Sequence, residues 1–124
     1  MPKLYILSGF SLSMLPVPSY VKMDIAEITP EDARSIVKLA KMQHVEIISA
    51  VGHESTAKML SELLGFEVPV NRTMVKLNTG DTAIIFQLFT RLPEGRVLNK
   101  SELEELMKKG LAKLLRLHVV DVLT

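Results

Sequence analysis

Val45-Glu46-Ile47-Ile48-Ser49-Ala50-Val51-Gly52-His53-Glu54-Ser55-Thr56 decides how this chain folds. Residues 45–51 are apolar and β-branched with Glu46 as their one charge, the composition of a central strand. Gly52 breaks that run, and Glu54-Ser55-Thr56 then supplies the acid and hydroxyls that favour a helix start. A helix is expected from about residue 56 to 64, with Met59, Leu60, Leu63 and Leu64 on one face and Gly65 as its stop. A buried strand passing directly into an amphipathic helix is the repeating step of an α/β domain.

The pattern extends in both directions. Residues 3–7 make a short apolar strand ended by Ser8-Gly9, and Pro16 and Pro18 mark the loop that follows. Residues 20–28 alternate partly, with Lys22, Asp24 and Glu27 between apolar positions, and read as a half-exposed edge strand. Thr29-Pro30-Glu31-Asp32 opens a first helix that runs to about Met42. Beyond the second helix, residues 73–77 and 82–92 read as strands joined in a hairpin through Asn78-Thr79-Gly80-Asp81. Asn99-Lys100-Ser101-Glu102 opens a third helix ending near Gly110, and residues 114–123 alternate as a last strand. The order β-β-α-β-α-β-β-α-β predicts a single-domain α/β sandwich with a mixed five- to six-stranded sheet and about three helices.

Composition narrows the class of function. A chain of 124 residues fits one domain. Its hydrophobic fraction of 48% and mean hydropathy of +0.25 leave apolar surface that a symmetric partner commonly covers, so a homodimer is expected. The net charge of +1, with both signs interspersed, argues against the basic face that duplex nucleic acid requires. With no cysteine, disulfides, thiolate metal sites and cysteine nucleophiles are excluded, and a cytoplasmic location is the expectation. The apolar start is interrupted by Ser8, Gly9, Ser11 and Ser13 and lacks a small-x-small cleavage site, and no run approaches the ~18 apolar residues of a membrane span.

His53 is the first candidate for chemistry. A Gly-His at a strand-to-helix junction sets an imidazole beside free helix amides, where an anion can bind; an exposed loop histidine beside an ordinary cap satisfies the same pattern. Arg91 and Glu94 flank Pro93 after an apolar segment, either as a phosphate fork and carboxylate aimed across the sheet edge or as a solvated ion pair. Arg72 adds positive charge to such a pocket or decorates a strand edge, and Ser8-Gly9-Phe10-Ser11 offers hydroxyls and a permissive backbone or a simple turn. His44 and His118 show no partner, and three histidines without ligand spacing do not indicate zinc. No G-x-S-x-G, P-loop or G-x-G-x-x-G occurs, so hydrolase elbows and nucleotide cofactors have no support.

Phe10-Ser11-Leu12-Ser13-Met14-Leu15, Val51-Gly52-His53-Glu54-Ser55-Thr56, Asn71-Arg72, Val75-Lys76-Leu77 and Arg91-Leu92-Pro93-Glu94-Gly95-Arg96-Val97-Leu98 together resemble the viral anti-CRISPR ring nuclease family. The resemblance covers most of the chain and is loosest over residues 16–50. It implies a homodimer that binds cyclic tetra-adenylate across its two-fold axis without metal or cofactor and cuts it to linear di-adenylate bearing a 2′,3′-cyclic phosphate. By that resemblance His53 is the general acid, Arg91 holds phosphate oxygens, and Glu94 orients or deprotonates the attacking hydroxyl or else orients His53. Ser11, Ser55, Thr56, Arg72 and Gln87 match ligand-contacting positions, with Ser8 and Gly9 of the first loop beside them. Two departures stand out: Ser8 replaces a frequent asparagine, which bears on one ligand contact, and Glu54 replaces a frequent aspartate in the helix cap. The competing readings are a protein of the same fold that sequesters a cyclic oligonucleotide uncut, and a regulatory module that binds DNA or a partner. For the latter, the helix with Lys100, Lys108 and Lys109 balanced by Glu102, Glu104 and Glu105 looks instead like a solvated face.

Overall fold

The computed structural model describes residues 1–91 and 98–123. Its elements are β1 (Lys3–Leu7), β2 (Tyr20–Ile28), α1 (Pro30–Met42), β3 (Glu46–Ser49), α2 (Glu54–Leu64), β4 (Thr82–Leu88), α3 (Lys100–Lys108) and β5 (Ala112–Leu123), with a short 3₁₀ turn at Leu12–Met14. Local chemistry sets the helix bounds. Thr29 caps α1 reciprocally with Asp32: the Asp32 amide donates to Thr29 Oγ1 at 3.1 Å and the Thr29 amide to Asp32 Oδ2 at 3.0 Å. Those bonds, the backbone one first, hold the Asp32 carboxyl below its ordinary pKa. Asn99 and Glu102 close the start of α3 in the same way. Gly65 ends α2 at φ 73°, while α1 is ended by a non-glycine residue in the left-handed region, His44 at φ 56°.

Burial on both faces selects the middle of the sheet. In β1, Leu4, Tyr5, Ile6 and Leu7 are all buried, as are Ala83, Ile84, Ile85 and Phe86 in β4. The strand order is β2-β5-β4-β1-β3. β1 pairs in parallel with β3, Ile6 opposite Ser49, and with β4, Ile6 opposite Ile84. β5 runs antiparallel to both β4 and β2. The sheet is therefore mixed and five-stranded, within an α/β domain of three helices. The carboxyl ends of β1, β3 and β4 share one edge.

All three helices lie on one face, where Val37, Leu60, Leu63 and Leu103 pack on Leu4, Ile6, Ile84, Phe86 and Leu114. Irregular chain covers the other face: Leu15, Val75 and Leu77 pack on Tyr5, Leu7, Ala83, Ile85, Leu117 and Val119. This corrects the hairpin expectation. Residues 73–77 form no strand; Val75 and Leu77 alternate inward because they lie across the sheet, and the Leu77 amide bonds Met14 O at 2.8 Å. The turn itself is real, with the Asp81 amide on Asn78 O at 3.0 Å, but it feeds a crossing segment into β4. The strand expected over 82–92 ends at Leu88. The expected central strand at 45–51 is β3, an edge strand of four residues, because Glu46 and the short ladder tolerate one open side.

Buried Asp81 ties the turn to β1: its Oδ1 accepts from the Lys3 amide and its Oδ2 from the Asn78 amide, each at 2.9 Å. Asp81→Ala leaves both amides without that acceptor and is expected to cost about 1–3 kcal/mol, read as a lower urea midpoint at unchanged m-value. His44→Gly relieves the left-handed conformation and is expected to raise stability by about 0.5–1 kcal/mol in the same assay. A lower midpoint for that variant would contradict the strain argument.

Candidate functional site

The shared carboxyl edge gathers three chain segments in a fixed order. β1 lies between β3 and β4, so the Ser8-Gly9 turn sits between the Gly52-His53 junction and the end of β4 that carries Gln87 and leads to Arg91. Two strand spacings, about 10 Å, separate the outer pair. Open α/β sheets place their ligand chemistry at such an edge.

The junction after β3 is braced by its neighbours. Val51 makes a parallel bridge with Val70, and the Asn71 amide donates to Val51 O at 2.8 Å. Asn71 Nδ2 donates to Ser49 O at 2.7 Å, and Arg72 Nε to Gly52 O at 2.9 Å. A Cβ on Gly52 would lie 3.2 Å from Arg72 Cγ, so the glycine lets the arginine stem lie against the backbone. Arg72 is thus an anchored cation next to His53, and among the described residues its terminal nitrogens make no hydrogen bond. It opens no strand, contrary to the sequence reading, because residues 71–79 form the crossing segment.

His53 is the N-cap residue of α2, with extended backbone at φ −122° and ψ 132°. Its carbonyl accepts from the Ala57 amide at 3.0 Å, and its side chain makes no capping hydrogen bond. The other two helices close their first turns with complete capping boxes. At α2 the exposed imidazole and the first-turn amides of Ser55 and Thr56 stand together, with half-buried Ser55 and Thr56 hydroxyls beside them. The arrangement suits an oxyanion and sets an imidazole beside it.

On the other side of β1, Gly9 adopts φ 142° and a Cβ there would lie 3.9 Å from Gln87 Oε1, so the turn and that amide are neighbours. Ser8 is exposed on the same turn. Ser11 is engaged locally as the cap of the 3₁₀ turn, its Oγ accepting from the Ser13 amide at 3.3 Å. Arg91 is exposed beyond β4, and Glu94 lies outside the described residues. The structure therefore joins His53, Ser55, Thr56 and Arg72 in one group and Gly9 with Gln87 in another. His118 has a partner that sequence did not reveal, Thr82 Oγ1 at 2.9 Å from its Nδ1. The bracing role of Asn71 was also missed; its place beside Arg72 was the only hint.

Comparison with known proteins agrees with this architecture. A sequence model of the family described as STIV B116-like matches residues 4–111. The chain is 39% identical over 104 residues to uncharacterized protein 26 of Sulfolobus islandicus filamentous virus (isolate Iceland/Hveragerdi), covering 83% of each chain. It is 42% identical over 92 residues to uncharacterized protein ORF117 of Acidianus two-tailed virus, covering 72% of this chain and 76% of that one. Among solved structures, B116 of Sulfolobus turreted icosahedral virus superposes with a TM-score of 0.80 at 30% identity, over 94% of this chain and 98% of B116.

Asn71→Ala removes the side-chain bond to Ser49 O and is expected to destabilise by about 1 kcal/mol while speeding amide exchange at residues 50–53. Unchanged exchange there would show that the junction is held by other contacts.

Proposed function

The chain belongs to the STIV B116-like family, with similar proteins in Sulfolobus islandicus filamentous virus and Acidianus two-tailed virus, and on that premise we propose that it is a ring nuclease acting on cyclic tetra-adenylate. The observation that carries the reading is the open start of α2, where His53 and uncapped amides face the same edge as the anchored Arg72. An anionic phosphodiester fits that group by charge and by hydrogen-bond direction. The resemblance of the sequence blocks to ring nucleases supplies the substrate.

In the proposed reaction a ribose 2′-hydroxyl attacks the adjacent phosphorus as the bond to the 5′-oxygen breaks. Two such cuts give linear di-adenylate ending in a 2′,3′-cyclic phosphate. His53 donates a proton to the leaving 5′-oxygen, and Arg91 spreads the charge of the five-coordinate phosphorus. Glu94 accepts the proton of the 2′-hydroxyl or orients His53. Arg72, with the amides and hydroxyls of Ser55 and Thr56, positions the phosphate. Ser8, Gly9, Ser11 and Gln87 contact the nucleotide. The nucleophile belongs to the substrate, so the chain supplies acid, charge and position. Removal of the messenger would silence type III CRISPR signalling.

A ring that presents equivalent phosphates calls for two equivalent sites, and we propose a homodimer to provide them. Exposed apolar residues support it. Tyr20 and Leu123 are cross-strand partners at the edge of the sheet, and Leu12, Val17 and Met74 stand exposed on the loops.

The test is incubation with cyclic tetra-adenylate under excess chelator, with linear di-adenylate expected. His53→Ala is expected to slow cleavage by ~10²–10⁴ while keeping binding. An intact ring after long incubation with the wild-type chain refutes the nuclease, and tight binding without cleavage would assign sequestration. Wild-type cleavage by His53→Ala would remove that residue from the chemistry.

A further inference from the structure

At the opposite edge of the sheet, between the last turns of α1 and the starts of β1 and β4, lies a cavity of about 380 Å³. Leu4, Ile36 and Leu39 form apolar wall, and Gln43, Thr82 and Arg116 bring polar groups to it. This volume and mixture are those of a small-molecule site.

Arg116 is the residue that packing does not explain. It lies opposite Ile84 on the helix-covered face, two residues from fully buried Leu114, where an apolar side chain would extend the core. A guanidinium stays charged, and partial burial beside apolar wall is favourable only with an anion or water at its head. A carboxylate is at hand: Asp24 on β2 stands opposite His118, one diagonal step from Arg116. No ion pair joins them; among the described residues the surface pairs are Lys109 with Glu105 and Lys113 with Glu27. Arg116 instead lines the cavity. Thr82, another lining residue, is held in place by a hydrogen bond of its Oγ1 with His118 Nδ1 at 2.9 Å. Arg116 and Lys3, a fixed hydroxyl and an amide-bearing residue thus line one hole with apolar walls.

We infer that this cavity is a second ligand site, for a compact organic acid whose single carboxylate or phosphate meets Arg116 and Thr82 while an apolar body lies against Leu39 and Ile36. It is independent of the proposed nuclease site, which lies at the other ends of the strands, about 15 Å away along the length of β1.

The probes are hexanoate, inorganic phosphate, adenosine monophosphate and, as the uncharged control, hexanol, titrated into ¹⁵N-labelled full-length protein. Saturable shifts are expected at the amides of residues 3, 4, 43, 82 and 116–118 with an acid probe and not with hexanol. Saturation by hexanoate alone assigns a carboxylate ligand, and saturation by either phosphate probe assigns a phosphate. Arg116→Gln is expected to weaken binding about tenfold or more. Leu39→Trp, at an exposed wall position, is expected to obstruct the same probe without touching the cation, and so carries the test if Arg116→Gln does not fold. His53→Ala is expected to bind the probe unchanged. No saturable shift at those amides with any acid, equal binding of hexanol, or unweakened binding by both cavity variants would overturn the inference.

Discussion

Parallel pairing of β1 with strands on both sides is the constraint on which the rest depends. Each parallel neighbour must be reached by a crossover, since a tight hairpin cannot reverse the chain and keep its direction. The chain meets this with α1 before β3 and with α2 plus the 71–79 segment before β4. Pairing also fixes where chain ends fall. Ser8-Gly9, Gly52-His53 and the end of β4 reach one edge because Leu4–Leu7 are buried on both faces and leave β1 no edge position.

The two faces of that sheet are stabilised differently, and the site inherits both. Helices α1, α2 and α3 bury a continuous apolar layer on one side, which gives α2 a rigid seat and holds its start at the sheet edge. The other side relies on loops whose backbone polar groups are tied individually: Leu77 to Met14, Lys76 Nζ to Ser13 O at 2.8 Å, and Asp81 to Lys3 and Asn78. The crossing segment that covers this face is the same one that delivers Asn71 and Arg72 to the His53 junction. Coverage of the second face and construction of the candidate site are therefore one structural event.

What was legible in the sequence follows from which interactions are local. The caps of α1 and α3, the Gly65 stop and the edge character of β2 rest on neighbours within a few residues, and the reading of them agrees with the structure. The segment 73–77 did not read correctly because period-two alternation reports that alternate side chains are buried, not that the backbone pairs. Likewise the run 45–51 was apolar enough for a central strand, yet position in the sheet depends on non-local competition with β1 and β4, which are more completely buried. His53 was found from its junction; the bracing by Asn71 and the Arg72 bond to Gly52 O span about twenty residues of sequence and left no periodic trace. Arg116 and His118 merge into an alternating strand, and only the register with Ile84 and Thr82 reveals a polar group on an apolar face.

The central claim is that the open start of α2 receives a phosphate of the substrate. Amide shifts of the ¹⁵N-labelled His53→Ala protein on titration with cyclic tetra-adenylate test it most directly, since the ring should remain uncut while the helix start is intact. The account predicts saturable changes at Ser55 and Thr56, together with the Arg72 side chain and the Gly9 turn. Saturable binding that leaves Ser55 and Thr56 unmoved would contradict it.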